Sequence, residues 1–221
     1  MKEIKVIALN GSPRKNWNTA KALESALAGA EAAGAQTELI HLYDYDYSGC
    51  RSCFACKLID GPSYGNCALK DSLTPILEKV READVLIMGS PIYAWDVTGA
   101  MRSCLERIIF PCAVYDDARS SLWPKNTYPM IIYTMNVLLE DMPALKASLH
   151  QSMEVNMPRI FRHTAEVYHI EDTKQFGDYS KYYAPRWNAE LKEKRLQEVF
   201  PKDCEKIYEM AYQLTEKAMQ D

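Results

Sequence analysis

The sequence predicts a three-layer α/β/α sandwich, in which a doubly wound parallel sheet of five strands carries helices on both faces. Apolar runs that are typical of buried strands alternate along the chain with segments whose apolar residues follow helical spacing. At 221 residues the chain is long enough for one α/β domain with a full core, and short for two. We therefore expect a single domain over residues 1–221.

Five segments are predicted strands. Ile4–Leu9, Val85–Met88 and Met130–Tyr133 are uninterrupted apolar runs, so we expect them to be buried on both faces of the sheet. Thr37–Leu42 and Ala165–Ile170 contain more polar residues and are predicted to be flanking strands. The order expected for such a sheet is 2-1-3-4-5.

Four helices are predicted from apolar stripes at spacing i, i+3, i+4 and i+7. A fifth segment, from about Pro143 to Glu154, is a weaker helix because Ser148 and Ser152 interrupt its stripe. The clear stripes are Leu23, Ala26, Leu27 and Ala30; Leu73, Ile76, Leu77 and Val80; Met101, Cys104, Leu105 and Ile108; and Ile207, Met210, Ala211 and Leu214.

Two segments are longer than this fold requires. Residues 110–127 form an insertion between the third helix and the fourth strand, and residues 171–200 form an extended connection before the last helix. Long connections in compact domains are often functional or interfacial. The aromatic residues of the second segment can cover a ligand, seal a subunit interface or pack on their own sheet edge; they are Tyr179, Tyr182, Tyr183 and Trp187.

The composition favours a cytoplasmic protein with a small-molecule partner. A net charge of −4 gives no electrostatic reason to bind nucleic acid. The N-terminal segment lacks the basic-then-apolar pattern of a signal peptide, and no apolar run approaches the roughly 18 residues that a membrane span needs. We therefore expect neither a membrane nor a nucleic acid among its partners.

The segment LNGSPRKNWNTAKAL, residues 9–23, connects the first strand to the first helix. Unpaired backbone N–H groups at a helix start favour an anion, so this loop is a candidate phosphate site. The motifs of nucleoside triphosphate and Rossmann dinucleotide sites are missing, and a purely structural turn remains the alternative. The candidate donors are Ser12, Arg14, Asn16, Asn18 and Thr19.

The loop after the third strand, MGSPIYAWDVTGAM at residues 88–101, is predicted to meet the phosphate loop. The connections from strands one and three leave in opposite directions, which opens a crevice at their carboxyl ends. Aromatic residues there offer a surface for a flat heterocycle, and Thr134 and Asn136 after the fourth strand reach the same rim. A phosphate loop, an aromatic platform and a polar rim together predict a flavin mononucleotide (FMN) site.

A block of cysteines follows the second strand. Cys50, Cys53, Cys56 and Cys67 form a C-x2-C-x2-C-x10-C array. Three thiolates at this spacing can surround one face of a cubane cluster while the fourth closes the site. Free or redox-active thiols and a zinc site are the alternatives. The other cysteines and the scattered histidines are predicted to be structural; they are Cys104, Cys112, Cys204, His41, His150, His163 and His169.

These segments resemble the flavodoxin-like NAD(P)H-dependent FMN reductase superfamily, and within it the iron-sulfur flavoproteins. The resemblance rests on GSPRKNWNTAKAL, the cysteine block followed by CALKDSL, ADVLIMGSPIYAWDVTGAMRSCLER, and loosely on DYSKYY and EVFP. It implies a flavodoxin-like fold, a 4Fe-4S cluster on the cysteines and a homodimer or homotetramer. Trp17 stands where the family usually has glycine, and the gap before Cys67 is longer than usual.

The resemblance also implies which residues hold the cofactor. The FMN phosphate would lie on Ser12, Arg14, Asn18 and Thr19, and the isoalloxazine ring would be lined by Pro91, Ile92, Tyr93, Ala94 and Trp95. Our hypothesis is an FMN-dependent oxidoreductase, with NAD(P)H or a reduced ferredoxin as donor and a small molecule or protein as electron acceptor. No catalytic side chain is nominated. The alternative is a non-catalytic electron carrier between protein partners.

Overall fold

Six strands form the central sheet of the computed structural model, which describes residues 3–221. Five are parallel in the order β2-β1-β3-β5-β6, and the short β4 pairs antiparallel with the end of β3. The strands are β1 (Lys5–Asn10), β2 (Gln36–His41), β3 (Val85–Tyr93), β4 (Asp96–Val97), β5 (Tyr128–Thr134) and β6 (Glu166–Ile170). The predicted doubly wound fold and strand order are confirmed, with β4 as an addition.

Seven helices cover the sheet in the described part of the chain. They are α1 (Asn18–Ala32), α2 (Thr74–Glu82), α3 (Gly99–Cys112), α4 (Pro143–Ser152), α5 (Met157–Phe161), α6 (Ala189–Glu198) and α7 (Phe200–Gln220). All five predicted helices are present. The two that were not predicted are α5, which is a single short turn, and α6, which has no apolar stripe because Lys192 is its only buried residue.

The core has two layers, one on each face of the sheet. On one face, α2 and α3 pack on strand residues such as Leu9 and Met88; on the other, α1 and α7 pack on Val6 and Ile87. Helices α1 and α7 approach so closely at Gly29 that a Cβ there would lie 2.2 Å from the carbonyl oxygen of Tyr208. The alternating directions of side chains along the buried strands produce both layers.

The two long connections are packed against the fold. Within 110–127, the first residues complete α3, and Ala113 then pairs with Ser121. The buried Trp123 contacts Phe161 edge-on, with ring centres 4.8 Å apart. The 171–200 connection contains α6. No helix in residues 3–221 is long and apolar enough to cross a membrane.

Candidate functional site

A cleft of about 440 Å³ opens at the carboxyl ends of β1, β3 and β5. Gly11 donates its N–H to the carbonyl of Gly89 at 2.8 Å, which joins the first loop to β3. Thr98, the residue that caps α3, donates its hydroxyl to the carbonyl of Gly11 at 2.7 Å. The loops after β1 and β3 therefore meet at the crevice that the strand order predicts.

Most of the residues that the sequence nominates for cofactor binding line this cleft. They come from three loops that are far apart in the sequence, and the fold brings them together at one site. They are Ser12, Arg14, Asn18, Thr19, Pro91, Ile92, Tyr93, Thr134 and Asn136. Their contact with FMN stays a prediction.

Asn16, Ala94 and Trp95 are not among the lining residues, so the structure does not bring these three nominated residues into the cleft. Asn16 is exposed in the turn before α1. Ala94 and Trp95 are the two central residues of the β3–β4 turn, where both have positive φ angles of 47° and 71°. Strand β3 continues to Tyr93 and turns back as β4, so the tip of this turn lies beyond the cleft.

The start of α1 offers backbone donors to the cleft. Trp17 precedes the helix, and its side chain makes no capping hydrogen bond to the first turn. Before it, Ser12 is buried and donates its N–H to Asn10 Oδ1 at 2.9 Å, while its Oγ accepts the N–H of Arg14 at 3.1 Å. A helix start without a capping side chain, beside a loop that is held rigid by its own hydrogen bonds, is a suitable place for an anion.

The segment after β6 forms a wall of the cleft that sequence reasoning missed. Arg14 Nη1 donates to the carbonyl of Gln175 at 2.6 Å, and Asn18 Nδ2 and Trp17 Nε1 donate to the carbonyl of Lys174 at 3.0 and 3.2 Å. These contacts join residues up to 161 positions apart, so no local pattern reveals them. The lining residues on this missed segment are Thr173 and Gln175.

Trp17, which stands where the family usually has glycine, also contacts Arg14. The Arg14 guanidinium lies over the indole, 4.9 Å from the ring centre. This stacking is a cation–π contact and restricts the arginine side chain at the mouth of the cleft.

Helix α6 supports the cleft from behind through a buried lysine. Lys192 is 3% exposed, donates to the carbonyl of Asn136 at 2.8 Å and forms an ion pair with Asp172. Its Nζ also lies 4.7 Å from the ring centre of Trp187. Lys192 thus ties the loops after β5 and β6 together.

The aromatic residues of the 171–200 connection divide into two groups. Trp187 packs on its own chain, and Tyr179 Oη accepts the N–H of Gln175 at 3.1 Å beside the cleft. Tyr182 stacks on Phe176 yet stays half exposed, and Tyr183 is 98% exposed. Packing against the protein's own chain therefore explains the positions of Trp187 and Tyr179 but not the exposure of Tyr182 and Tyr183.

The four clustered cysteines line one cavity of about 840 Å³ beside the second half of α3. Cys50 and Cys53 are exposed, Cys67 is half-buried and Cys56 is buried. Burial raises the pKa of the Cys56 thiol above its ordinary value. The array therefore forms one site, in which the thiols share a common cavity.

The backbone between the cysteines has an unusual conformation. Ser52 and Phe54, on either side of Cys53, have left-handed φ angles of 52° and 56°. The N–H of Ser52 donates to Cys50 Sγ at 3.5 Å. Alternating conformations of this kind turn successive N–H groups to one side and are found at many iron-sulfur and phosphate sites.

Arg107 lines the cysteine cavity, and Lys57 belongs to the cysteine loop. Lys57 Nζ donates to the carbonyls of Phe110 and Ala113 at 2.5 Å each, which fastens the cysteine loop to the end of α3. Arg107 is 2% exposed and pairs with Asp71 at 2.5 Å. Burial opposes ionisation of Asp71, but the hydrogen bond from Arg107 still holds its pKa below the ordinary value.

The lining of this cavity fits an anionic cluster held by thiolates, because four sulfur donors and mostly apolar walls stand beside two arginines, Arg51 and Arg107, and one carboxylate, Glu106. Within residues 3–221, no group of three or more histidine, cysteine or acidic side chains is arranged to hold a single metal ion. The cysteine loop leaves the carboxyl end of β2 and extends along α3, and its cavity shares no lining residue with the cleft.

The remaining cysteines and the histidines have structural surroundings. Cys104 and Cys112 are fully buried, and burial raises the pKa of Cys104 to about 12, which makes it an inert thiol. Of the histidines, His41 contacts Asn10 at 2.9 Å and His169 stacks on Tyr133.

Comparison with known proteins identifies the family. The model of the NADPH-dependent FMN reductase family matches residues 4–133. Two iron-sulfur flavoproteins, from Archaeoglobus fulgidus and Methanocaldococcus jannaschii, are 38% and 36% identical over 104 residues, which is 47% of this chain and 48% and 51% of theirs. The chain thus spans about half the length of the curated relatives it matches.

Solved structures agree on the fold. An NAD(P)H:quinone oxidoreductase from Methanothermobacter marburgensis superposes with a TM-score of 0.69 at 14% identity, over 96% of this chain and 98% of that one. An FMN-dependent NADH-azoreductase from Bacillus anthracis in complex with FMN gives 0.65 at 11% identity, over 96% and 99%. Since the family model covers more than half of the 221 residues, the chain belongs to the NADPH-dependent FMN reductase family.

Proposed function

We propose that this protein is an FMN-dependent oxidoreductase that takes electrons from NAD(P)H and delivers them to a small-molecule or protein acceptor. The observation that carries the proposal is the cleft itself, in which residues nominated from three separate loops surround an uncapped helix start. Family membership and the FMN-containing azoreductase of the same fold are consistent with it.

The lining residues have separable roles in this proposal. Ser12, Arg14 and the first N–H groups of α1 would hold the phosphate by charge-assisted hydrogen bonds. Tyr93, which is 45% exposed at the mouth, and Pro91 would flank the ring and exclude water from one of its faces. Thr134 and Asn136 would bond to its polar atoms. When bound, FMN supplies the hydride and one-electron chemistry, and the chain supplies position and electrostatics.

The test is anaerobic stopped-flow mixing of FMN-saturated protein with NADPH and, separately, NADH. The proposal expects loss of flavin absorbance with one or both nucleotides, with a rate that saturates as their concentration rises. A flavin that reduced ferredoxin bleaches but neither nucleotide does would instead favour the alternative, a non-catalytic carrier between protein partners.

We also propose that Cys50, Cys53, Cys56 and Cys67 hold a 4Fe-4S cluster. The shared cavity, the alternating backbone at Ser52 and Phe54 and the lining arginines support this assignment. Two curated iron-sulfur flavoproteins are similar to this chain over about half their length.

Metal and acid-labile sulfide analysis of anaerobically purified protein tests the assignment. A cluster requires iron and sulfide in equal amounts, at about four of each per chain. Zinc without sulfide would establish the zinc alternative, and neither metal would leave free thiols.

We further infer a cytoplasmic homodimer or homotetramer. Tyr182 and Tyr183 remain exposed on the 171–200 connection, and large apolar side chains at the surface often mark an interface. Light scattering of the full chain measures the oligomer directly, and a monomer at micromolar concentration would contradict the inference.

A further inference from the structure

A third cavity lies between α2 and α3, away from the cleft. Its volume is about 750 Å³, and it shares Cys67, Arg107 and Pro111 with the cysteine cavity. Polar and charged side chains form much of its lining, whereas the cysteine cavity is mostly apolar. Cys67 therefore borders a polar cavity on one side and an apolar cavity on the other.

The charges on this lining are not balanced. Arg107 is neutralised by its pair with Asp71, but Lys70 and Arg81 have no carboxylate partner among the described residues. Glu78 is the one acidic side chain among the lining residues of the described chain. Two cations and one anion therefore leave the cavity with an excess of positive charge.

Arg81 is held in place before any ligand arrives. Its Nη1 donates to the carbonyl of Gly65 at 3.2 Å and to Cys112 Sγ at 3.3 Å, and its guanidinium lies 5.3 Å from the ring centre of Trp123. In the described chain, Nε and Nη2 make no hydrogen bond, so an edge of the guanidinium is available. A fixed guanidinium edge matches the two oxygens of a carboxylate or phosphate and loses little entropy on binding.

We propose that this cavity binds a small oxyanion, a carboxylate or a phosphate, on the fork of Arg81 with Lys70 as the second cation. Leu77, Ile108 and Pro111 give it apolar walls that accommodate a short carbon skeleton. The bound anion then lies in the cavity that borders Cys67. The site is independent of the proposed FMN cleft, because the two share no residue.

The experiment is isothermal titration of the full-length, FMN-saturated protein with inorganic phosphate and, separately, with succinate, at constant ionic strength in chloride. Saturation with FMN fills the first loop, so that phosphate cannot bind there. We expect saturable binding at one site per chain, and the tighter of the two probes distinguishes a phosphate site from a carboxylate site.

Four variants locate the site. Arg81→Gln should weaken binding by about ten-fold or more, and Lys70→Gln by a few-fold. Glu78→Gln should strengthen binding, because it removes the opposing charge. Lys79→Gln is the control, since Lys79 is on the same helix but pairs with Glu38 at 2.5 Å outside the cavity.

Absence of saturable binding with both probes would overturn the proposal, as would wild-type affinity in Arg81→Gln or an equal loss in Lys79→Gln. If Arg81→Gln fails to fold, Glu78→Gln decides, because Glu78 is exposed and its change preserves the fold. Unchanged affinity in that variant would then reject the site.

Discussion

Thr19 and Thr134 share a hydrogen bond at the cleft, with their Oγ1 atoms 2.8 Å apart. Both residues are nearly fully buried. The bond joins the first turn of α1 to the end of β5, so two walls of the cleft are fixed to each other before a cofactor enters. One of the two hydroxyls donates this hydrogen bond. The other accepts it and keeps a second lone pair that can accept another hydrogen bond.

Replacing Thr134 by Val should lower the free energy of unfolding by about 1–3 kcal/mol, because the Thr19 hydroxyl loses its partner while it remains buried. Urea denaturation of the FMN-free protein measures the loss. Thr215→Val is the matched control: Thr215 is also buried, but it bonds to the carbonyl of Ala211 within its own helix, so the loss should be smaller. Equal losses would contradict this account of the cleft.

Arg14→Ala should weaken FMN binding by about ten-fold, the amount expected for one charge-assisted hydrogen bond to the phosphate. Quenching of flavin fluorescence on binding gives the affinity. Lys15→Ala is the control, because Lys15 is adjacent but pairs with Asp44. If both variants bind FMN like the wild type, the phosphate is not on this loop.

Ala94→Gly should raise the free energy of unfolding by about 1 kcal/mol, because Ala94 has a φ of 47° that glycine adopts without strain. Ala147→Gly, at an exposed position inside α4, should lower it by about 0.5–1 kcal/mol. If alanine-to-glycine substitution stabilises the protein at position 94 and destabilises it at position 147, the backbone of the turn is strained. A loss of stability in both variants would show that the β3–β4 turn is not strained.

Cys53→Ser should remove most of the iron from anaerobically purified protein, because serine replaces one thiolate ligand of the proposed cluster. Cys204→Ser should leave the iron content unchanged, since Cys204 belongs to α7 and lies outside the cysteine cavity. Metal analysis of the two variants side by side measures this. An equal fall in both would point to general damage and would contradict the ligand assignment.

The protein should lose stability as the pH falls below about 6.5, in part through His169. Burial lowers the pKa of His169 below its ordinary value of 6.5, so the unfolded chain takes up this proton before the folded one does. The stabilisation is therefore present above pH 6.5 and is lost as the pH falls toward the folded pKa. His169→Phe keeps the stacking on Tyr133 and should flatten this part of the stability profile.

Local patterns were sufficient to predict the five parallel strands of the sheet, but not the short β4. The runs Ile4–Leu9 and Val85–Met88 lie within or next to β1 and β3, because a strand buried on both faces must be apolar throughout. The apolar stripe from Met101 to Ile108 predicted α3, because a helix that packs on a sheet must be apolar along one face. Helix α6 was missed because its face is polar and its role depends on one lysine, Lys192.

The cleft was predicted where it depends on strand ends and missed where it depends on distant contacts. Ser12 lies in the loop that follows β1, and Thr19 lies in the first turn of α1, so topology alone places them at the crevice. Gln175 contacts Arg14 although the two residues are 161 positions apart, so this contact depends on the fold of the whole chain. The route of the cysteine loop along α3 is likewise set by side-chain bonds, such as that of Lys57 to the end of the helix, which periodicity does not reveal.

The position of α7 has a consequence for biosynthesis. Its buried residues, which include Ile207, Ala211 and Leu214, complete the core layer that begins at β1, and Gly29 of α1 contacts the backbone of α7 directly. Until the segment from Phe200 onward leaves the ribosome, the part of this face that α7 covers stays open to solvent, because α1 covers only the rest. A nascent chain that lacks this helix therefore exposes part of its apolar core, and this layer packs fully only after α7 emerges.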